Sequence, residues 1–279
     1  MIVVTGETGN VGRPLVRALA AAGEQVTAVA RGFEGHRLPP GVAALRADLT
    51  DPAASEALAP ALEGAKALFL LTAASVLPLG GGAVEGVLAA ARAAGVGRVV
   101  LLSSQGVGTG RHPSDIEDAV RAGGLDWTVL RPGGFHSNAG QWAPAVREQR
   151  TVAAPFGDVA LPTVDPADIA AMAAAALTGD GHGGATYVLT GPKPVSPRAQ
   201  AQAIGAALGE RVRFVELSRE QARERMLAFM PAPVVEATLA VLGEPTAEEV
   251  RVSPDVERVL GRAPRTFAAW AEDNAALFR

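Results

Sequence analysis

The sequence predicts an α/β protein built on a doubly wound parallel sheet, with a smaller, mostly helical lobe in its C-terminal part. Short apolar runs alternate with helical patterns through residues 1–132, which is typical of β-α-β units and a parallel sheet. The first apolar run breaks directly into a loop with glycine at every third position, and a helical pattern follows. Over residues 133–279 the segments complete the sheet and then become mostly helical, which predicts a substrate lobe.

The opening loop, residues 6–12, reads GETGNVG between a predicted strand and a predicted helix. Glycine lacks Cβ, so the chain can turn tightly and a phosphate can approach the backbone. Free amides at the helix start, together with the helix dipole, favour an anion there. This combination predicts the dinucleotide-binding turn of a Rossmann-type fold. The alternative is an ordinary strand-to-helix turn without a ligand. The residues expected to contact the cofactor here are Gly6, Thr8, Gly9, Asn10 and Val11.

The second predicted strand, residues 25–30, ends at Arg31. At this place an acidic residue would accept a hydrogen bond from the ribose of NAD, whereas arginine accommodates the 2′-phosphate of NADP. No Asp or Glu stands directly at the strand end, so the sequence favours NADP (NADPH), with Arg37 as a further cation. The alternative is that Arg31 is a solvated surface side chain.

Ligands gather at the carboxyl ends of strands in such sheets. The third strand, residues 42–46, is followed by Asp48 and Leu49, and Asp51 is expected to cap the next helix. The fourth and fifth strands, residues 65–71 and 97–102, are nearly all apolar, as expected for strands covered on both faces. Their ends add the further expected cofactor contacts Leu71, Thr72, Ala73 and Ser103.

Apolar periodicity and Gly/Pro signals give the remaining boundaries. Strands are expected at residues 127–130 and 185–190. Asp165 or Asp168 is expected to cap a helix rich in alanine. The other predicted helices cover residues 11–22, 81–94, 112–122, 139–150, 197–208, 219–230, 233–242, 254–260 and 264–277.

Composition limits the functional classes. Apolar residues make up 48% of the 279 residues and charged residues 19%, so a sizeable core can form. The net charge is −4 and no basic run occurs, so no nucleic-acid partner is expected. Cysteine is absent, which removes disulfides and thiolate chemistry. The apolar runs are too short for a membrane span and no leader is visible, so a cytoplasmic monomer or homodimer is expected.

Several motifs together resemble the NmrA-like branch of the atypical short-chain dehydrogenase/reductases. The opening is similar to the family's TGxTGxxG, and Arg31 matches its NADP-type arginine. That branch includes NADPH-dependent quinone and azo-type reductases and redox-sensing regulators, so the resemblance implies one of these functions. The other matching segments are residues 47–51 (ADLTD), 70–72 (LLT), 124–132 (GLDWTVLRP), 135–138 (FHSN), 165–170 (DPADIA) and 187–192 (YVLTGP).

One departure from the wider superfamily bears on chemistry. Its typical members use a Tyr-x-x-x-Lys pair, in which lysine lowers the tyrosine pKa for proton transfer. Here the only tyrosine is Tyr187, glycine stands at position 191, and no lysine occurs near His112, where many NmrA-like members keep one. This absence indicates an electron-poor acceptor that needs little acid catalysis, or no turnover at all.

Three side chains are candidate proton donors, each with a plainer interpretation. Ser104 follows the fifth strand, and its hydroxyl could simply cap a helix. His112 stands at a predicted helix start and could be a solvated side chain. His136 lies in a glycine-rich loop expected to line the pocket, or it is a surface histidine. His112 with Asp115 and Glu117 is a poor metal pattern, so no metal is expected.

The leading hypothesis is an NADPH-dependent oxidoreductase that passes hydride to a quinone-like or other conjugated small molecule. The alternatives are a non-catalytic NADP(H) sensor that binds partner proteins and a specialised-metabolism reductase or isomerase. The substrate is expected to be apolar or aromatic. Its pocket could be lined by Phe135, Trp142, Met226, Phe229 and Met230. The alternative, equally favoured for each of them, is packing in the core between the lobe and the sheet.

Overall fold

The fold was obtained as a computed structural model, which describes residues 1–51, 53–71 and 80–279. The chain forms two compact units. Unit 1 contains residues 1–132, 166–189 and 258–261. Unit 2 contains residues 133–165, 190–257 and 262–279.

A seven-stranded, wholly parallel sheet forms the centre of unit 1, in the order β3-β2-β1-β4-β5-β6-β8. The order reverses between β1 and β4, which is the switch point of a doubly wound sheet. The predicted fold class is therefore confirmed. The strands are β1 Ile2–Thr5, β2 Val26–Ala30, β3 Ala43–Arg46, β4 Ala67–Leu71, β5 Arg98–Leu102, β6 Asp126–Pro132, β7 Thr151–Pro155, β8 Ala185–Leu189 and β9 Arg213–Leu217.

Helices flank this sheet and build most of unit 2. They are α1 Gly12–Ala21, α2 Ala54–Leu62, α3 Gly82–Ala93, α4 Gln105–Gly108, α5 Asp115–Ala122, α6 Ala143–Gln149, α7 Pro166–Thr178, α8 Pro197–Leu208, α9 Arg219–Leu227, α10 Ala232–Gly243, α11 Ala247–Val250, α12 Asp255–Leu260 and α13 Phe267–Asp273. In the part of the chain that the structure describes, 3₁₀ helices cover His136–Trp142 and Ala275–Phe278. Within the described ranges, no helix combines the length and apolar character needed to cross a bilayer.

The core of unit 1 lies between the sheet and its helices. Alternate strand residues such as Val3, Leu68 and Val99 are fully buried in one cluster with apolar residues of α2 and α3. Helix α7 packs beside α1 and against β4, β5 and β6. Because both faces are covered, β1 and β2 are buried along their whole length, as their apolar sequences predict.

Unit 2 has a core of its own, in which Phe267, Trp270 and Phe278 pack with Val146 and Ile204. A two-stranded parallel sheet joins β7 to β9 in this unit. These two strands were not predicted, so the second part of the chain is less purely helical than expected. Met226 and Met230 pack against the small cluster around Val235 and Leu239, which is the core interpretation of these methionines.

Three predictions about where helices begin were wrong. The helix expected at residues 112–122 begins only at Asp115, so His112 precedes it. The helix expected at residues 139–150 is a 3₁₀ segment followed by the short α6. Asp51 accepts a hydrogen bond from the amide of Ala53 at 2.8 Å, but Ala53 itself stands at the N-cap of α2.

Candidate dinucleotide and proton-transfer site

The glycine loop between β1 and α1 has the shape that a dinucleotide requires. Gly6 has a φ of +72°, which favours glycine. A Cβ at Gly12 would lie 2.1 Å from the Gly6 carbonyl oxygen and 2.8 Å from the Glu7 Cα. The third glycine therefore lets the first turn of α1 rest directly on the loop, which is its role in the dinucleotide motif.

The start of α1 provides the donors that an anion needs. Among the residues that the structure describes, the amides of Val11 and Gly12 donate to no other backbone group. Val11 is only 2% exposed, so it packs into the protein at the point where the loop meets the helix. Loop and helix start thus fit the pyrophosphate of a pyridine dinucleotide, with Gly6, Thr8, Gly9 and Asn10 in the same turn.

Thr5 holds the loop to the neighbouring strand, a role that the sequence alone did not reveal. Its hydroxyl donates to the Phe69 carbonyl at 3.0 Å and accepts from the Leu71 amide at 2.8 Å. A Cβ built on Gly6 would lie 3.0 Å from the nearest atom of the Leu71 side chain. These contacts join the ends of β1 and β4 at the switch point of the sheet. The expected contacts Thr72 and Ala73 lie outside the described residues.

The carboxyl end of β2 is followed by Arg31 and by a loop that Arg13 of α1 holds. Arg31 is exposed, and Arg13 Nη2 hydrogen-bonds His36 Nδ1 at 2.9 Å and the Thr8 carbonyl at 3.1 Å. His36 had no predicted role, yet it ties the loop after β2 to the glycine loop. Arginine only donates, so His36 Nδ1 is the acceptor in this bond.

Asp48, at the end of β3, is held by its own loop. Its Oδ1 accepts from the amide of Thr50 at 2.9 Å and from the hydroxyl of Thr50 at 2.8 Å. These bonds, with a smaller contribution from the charge of Arg31, hold the pKa of Asp48 below its ordinary value. Leu49 is half-buried against the core of unit 1. Cofactor contacts of Asp48 and Leu49 therefore stay predictions.

A buried ionic network lies directly behind the end of β5. The Glu117 carboxylate is 1% exposed and accepts from Ser103 Oγ at 2.5 Å and from Arg131 Nε and Nη2 at 2.9 and 2.6 Å. Arg121 adds a fourth bond at 2.7 Å. Burial acts to raise the pKa of Glu117, but these donors outweigh it and hold the pKa below its ordinary value. The Ser103 hydroxyl is thus bonded within the protein, and its cofactor contact stays a prediction.

Two predicted proton donors come together in the structure. Ser104 Oγ lies 3.0 Å from His112 Nδ1 and accepts from the Gly106 amide at 3.0 Å. The cap interpretation of Ser104 is confirmed, because this bond caps α4. A Cβ at Gly106 would lie 2.5 Å from His112 Nδ1, so the glycine makes room for the ring. Ser104 can therefore pass a proton to or from His112.

The third candidate, His136, has a different setting. It is 1% exposed in unit 2, so the surface-loop interpretation is wrong. Its Nδ1 lies 2.9 Å from Thr163 Oγ1, and its ring meets Phe267 edge-on at 5.2 Å between centroids. Such a setting is typical of a packed core histidine, and a catalytic role stays a prediction.

The only tyrosine of the chain is already engaged. Tyr187 is 8% exposed, and its hydroxyl lies 2.9 Å from His182 Nδ1. No three His, Asp or Glu side chains converge as metal ligands in the described part of the chain.

Comparison with known proteins gives the same assignment. A family model described as NAD(P)H-binding matches residues 6–180. A (4-alkanoyl-5-oxo-2,5-dihydrofuran-3-yl)methyl phosphate reductase of Streptomyces griseus is 39% identical, covering 100% of this chain and 99% of the relative. An NAD(P)H azoreductase of Xenophilus azovorans is 33% identical over 100% of this chain and 99% of its own.

The fold is also shared with a solved structure. The NADPH complex of a quinone oxidoreductase from Escherichia coli superposes with a TM-score of 0.79 at 24% identity, covering 98% of this chain and 99% of that one. At this identity the likeness concerns the fold alone. Because the NAD(P)H-binding model matches more than half of its residues, the chain belongs to the NAD(P)H-binding family. It has the NmrA-like fold that its motifs predict.

Proposed function

We propose that the protein is an NADPH-dependent reductase that transfers hydride to a conjugated, electron-poor small molecule. The observation that carries the proposal is the glycine loop, where Gly12 admits no Cβ and the amides at the start of α1 lack backbone acceptors among the described residues. NADPH, when bound, supplies the hydride. Gly6, Gly9, Val11 and Gly12 would hold its pyrophosphate, and Arg31 its 2′-phosphate.

The acceptor class follows from the groups that the chain lacks. Tyr187 is engaged with His182, and no Tyr-x-x-x-Lys pair exists in the sequence. An acceptor that stabilises its own anion after hydride addition needs less acid catalysis than a simple ketone. The names of the two relatives describe such acceptors, since one substrate contains a double bond conjugated to ring and side-chain carbonyls and the other an azo group. A quinone-like or unsaturated-lactone substrate fits this description.

Ser104 and His112 are the proposed source of the proton that completes the reduction. The Ser104 O–H bond breaks as its proton passes to the anionic oxygen of the product. Ser104 then regains a proton from His112 Nδ1, which lies 3.0 Å away. The amide of Gly106 fixes the hydroxyl during this transfer.

Replacing His112 by glutamine tests this pair. We expect kcat to fall roughly 100-fold with an unsaturated lactone and less than about 10-fold with a quinone, because the hydroquinone anion needs less help. Steady-state kinetics with both acceptors measures the difference. Gly106→Ala should lower kcat with the same preference between the two acceptors but by a smaller factor. Its new Cβ displaces the His112 ring without changing the chemistry of that ring. Equal activity of all three proteins with both acceptors would remove His112 from the reaction.

A turnover assay separates the reductase from its main alternative. A non-catalytic NADP(H) sensor would bind the nucleotide without oxidising NADPH in the presence of quinones, azo dyes or unsaturated lactones. The reductase should oxidise NADPH with at least one of them, in an amount that matches the reduced product. Nucleotide binding without any turnover across the panel would favour the sensor.

Arg31 is the proposed contact to the 2′-phosphate. Arg31→Ala should weaken NADPH binding by about 1.5–3 kcal/mol and leave NADH binding nearly unchanged, because only NADPH carries the phosphate. Fluorescence titration of both nucleotides measures the effect. Arg17→Ala is a matched control, because Arg17 is an exposed arginine of α1 outside the loop. Equal losses for the two nucleotides would contradict the assignment.

A further inference from the structure

We infer that Glu34 is a specificity-determining residue which opposes the 2′-phosphate and allows the site to take NADH as well as NADPH. The inference rests on the proposed function, because it concerns the same nucleotide site. No acidic residue directly follows β2 in the sequence, and Glu34 would supply one to this site.

The first support is the position of the Glu34 carboxylate. A Cβ built on Gly32 would lie 2.2 Å from Glu34 Oε2 and 3.1 Å from its Cδ. The carboxylate therefore folds back over the backbone of the residue that directly follows Arg31. In the sequence Glu34 stands four residues beyond the end of β2, where it reads as part of a surface loop. In space it lies against Gly32, two residues beyond the strand end, and a ribose-binding acid is found at the strand end in sheets of this type.

The loop that carries Glu34 is held in place by hydrogen bonds. The His36 amide donates to the Phe33 carbonyl at 2.9 Å, and Gly35 has a φ of +74°, so residues 33–36 form a tight turn. Arg13 anchors this turn through His36 Nδ1 at 2.9 Å and anchors the glycine loop through the Thr8 carbonyl at 3.1 Å. The turn is thus tied to the loop that is proposed to hold the pyrophosphate.

The third support is the balance of charge. Arg31 is exposed at the end of β2, and Oδ1 of the nearby Asp48 accepts both bonds from Thr50, which fix that carboxylate to its own loop. Glu34 therefore supplies a second carboxylate that is not bound within the β3 loop. A carboxylate here accepts a hydrogen bond from a ribose hydroxyl and repels a phosphate, whereas Arg31 attracts the phosphate. With both groups present, neither nucleotide is strongly rejected.

Two variants remove the carboxylate in different ways. Glu34→Gln removes the charge, and Gly32→Ala displaces the carboxylate by placing a methyl group where it now lies. Both should raise the ratio of NADPH affinity to NADH affinity, roughly five- to tenfold for Glu34→Gln, since a negative charge that repels the 2′-phosphate is lost. The control is Glu63→Gln, which makes the same charge change at an exposed residue after α2.

Fluorescence titration gives the dissociation constants of NADPH and NADH for the unmodified protein, the two site variants and the control. The inference expects the unmodified protein to bind both nucleotides within roughly tenfold of each other and the control to keep that ratio. An unchanged ratio in both site variants, with binding intact, overturns the inference and leaves the reductase proposal in place. Binding of neither nucleotide by the unmodified protein overturns both.

Discussion

Replacing Gly12 by alanine should weaken nucleotide binding roughly 100-fold while the sheet remains assembled. The added Cβ would lie 2.1 Å from the Gly6 oxygen, 2.7 Å from the Gly6 carbonyl carbon and 2.8 Å from the Glu7 Cα, all of which are backbone atoms. The turn must therefore separate from α1, and the amides proposed to face the pyrophosphate move apart. We expect the Kd for NADPH to rise roughly 100-fold, or about 2.7 kcal/mol. The free energy of unfolding should fall by about 1–3 kcal/mol.

Gly86→Ala is the matched control for this variant. A Cβ at Gly86, in the middle of α3, meets only the Ser55 side chain at an ordinary 3.7 Å. Alanine should stabilise that helix by about 0.5–1 kcal/mol and leave binding unchanged. Calorimetric titration with NADPH and chemical unfolding of both variants make the comparison. If Gly12→Ala bound NADPH as the unmodified protein does, the glycine loop would not be the pyrophosphate site.

Replacing Glu117 by glutamine should give the largest loss of stability among single changes near the site. The carboxylate is 1% exposed, and it holds Arg131, Arg121 and Ser103 together. Removing one partner of a buried ion pair leaves the other charge without compensation. Arg131 and Arg121 stay 21% and 31% exposed, so water can partly replace the carboxylate. We therefore expect the free energy of unfolding to fall by about 2–4 kcal/mol at pH 7.

The pH dependence of this loss has a definite sign. Because the pKa of Glu117 in the folded state is below its ordinary value of 4.5, its ionised form stabilises the fold above that pH. This contribution disappears as the pH falls below 4.5 through the lowered value, so the two proteins should converge in acid. Asp118→Asn is the control, because Asp118 is 62% exposed and should cost less than about 1 kcal/mol. A constant difference between Glu117→Gln and the unmodified protein down to about pH 3, well below the ordinary value of 4.5, would contradict this account.

The sheet could be predicted from the sequence because its signals are local. Each strand of unit 1 is a short apolar run, and β1 passes directly into the glycine loop, so residues near one another in the chain decide the structure. Strands β7 (TVAAP) and β9 (RFVEL), which pair with each other, escaped prediction because neither is a continuous apolar run. Strand β7 ends in Pro155, and β9 carries Arg213 and Glu216.

The site could be predicted in part, for the same reason. Ser104 and His112 were identified as separate candidates, and only the fold showed that Gly106 lets them meet at 3.0 Å. The helix start at Asp115 had a signal in Pro113 and Ser114, which favour a boundary there. Glu117 and Arg131 are fourteen residues apart, so their pairing depends on α5 packing beside β6.

The central claim is that a pyridine dinucleotide binds against the glycine loop through backbone amides. Calorimetric titration of the purified chain with NADPH, repeated with Gly12→Ala, tests it most directly. The account predicts one nucleotide per chain for the unmodified protein and a loss of roughly 100-fold in affinity for the variant. Absence of binding to the unmodified protein, or equal binding to both, would contradict it.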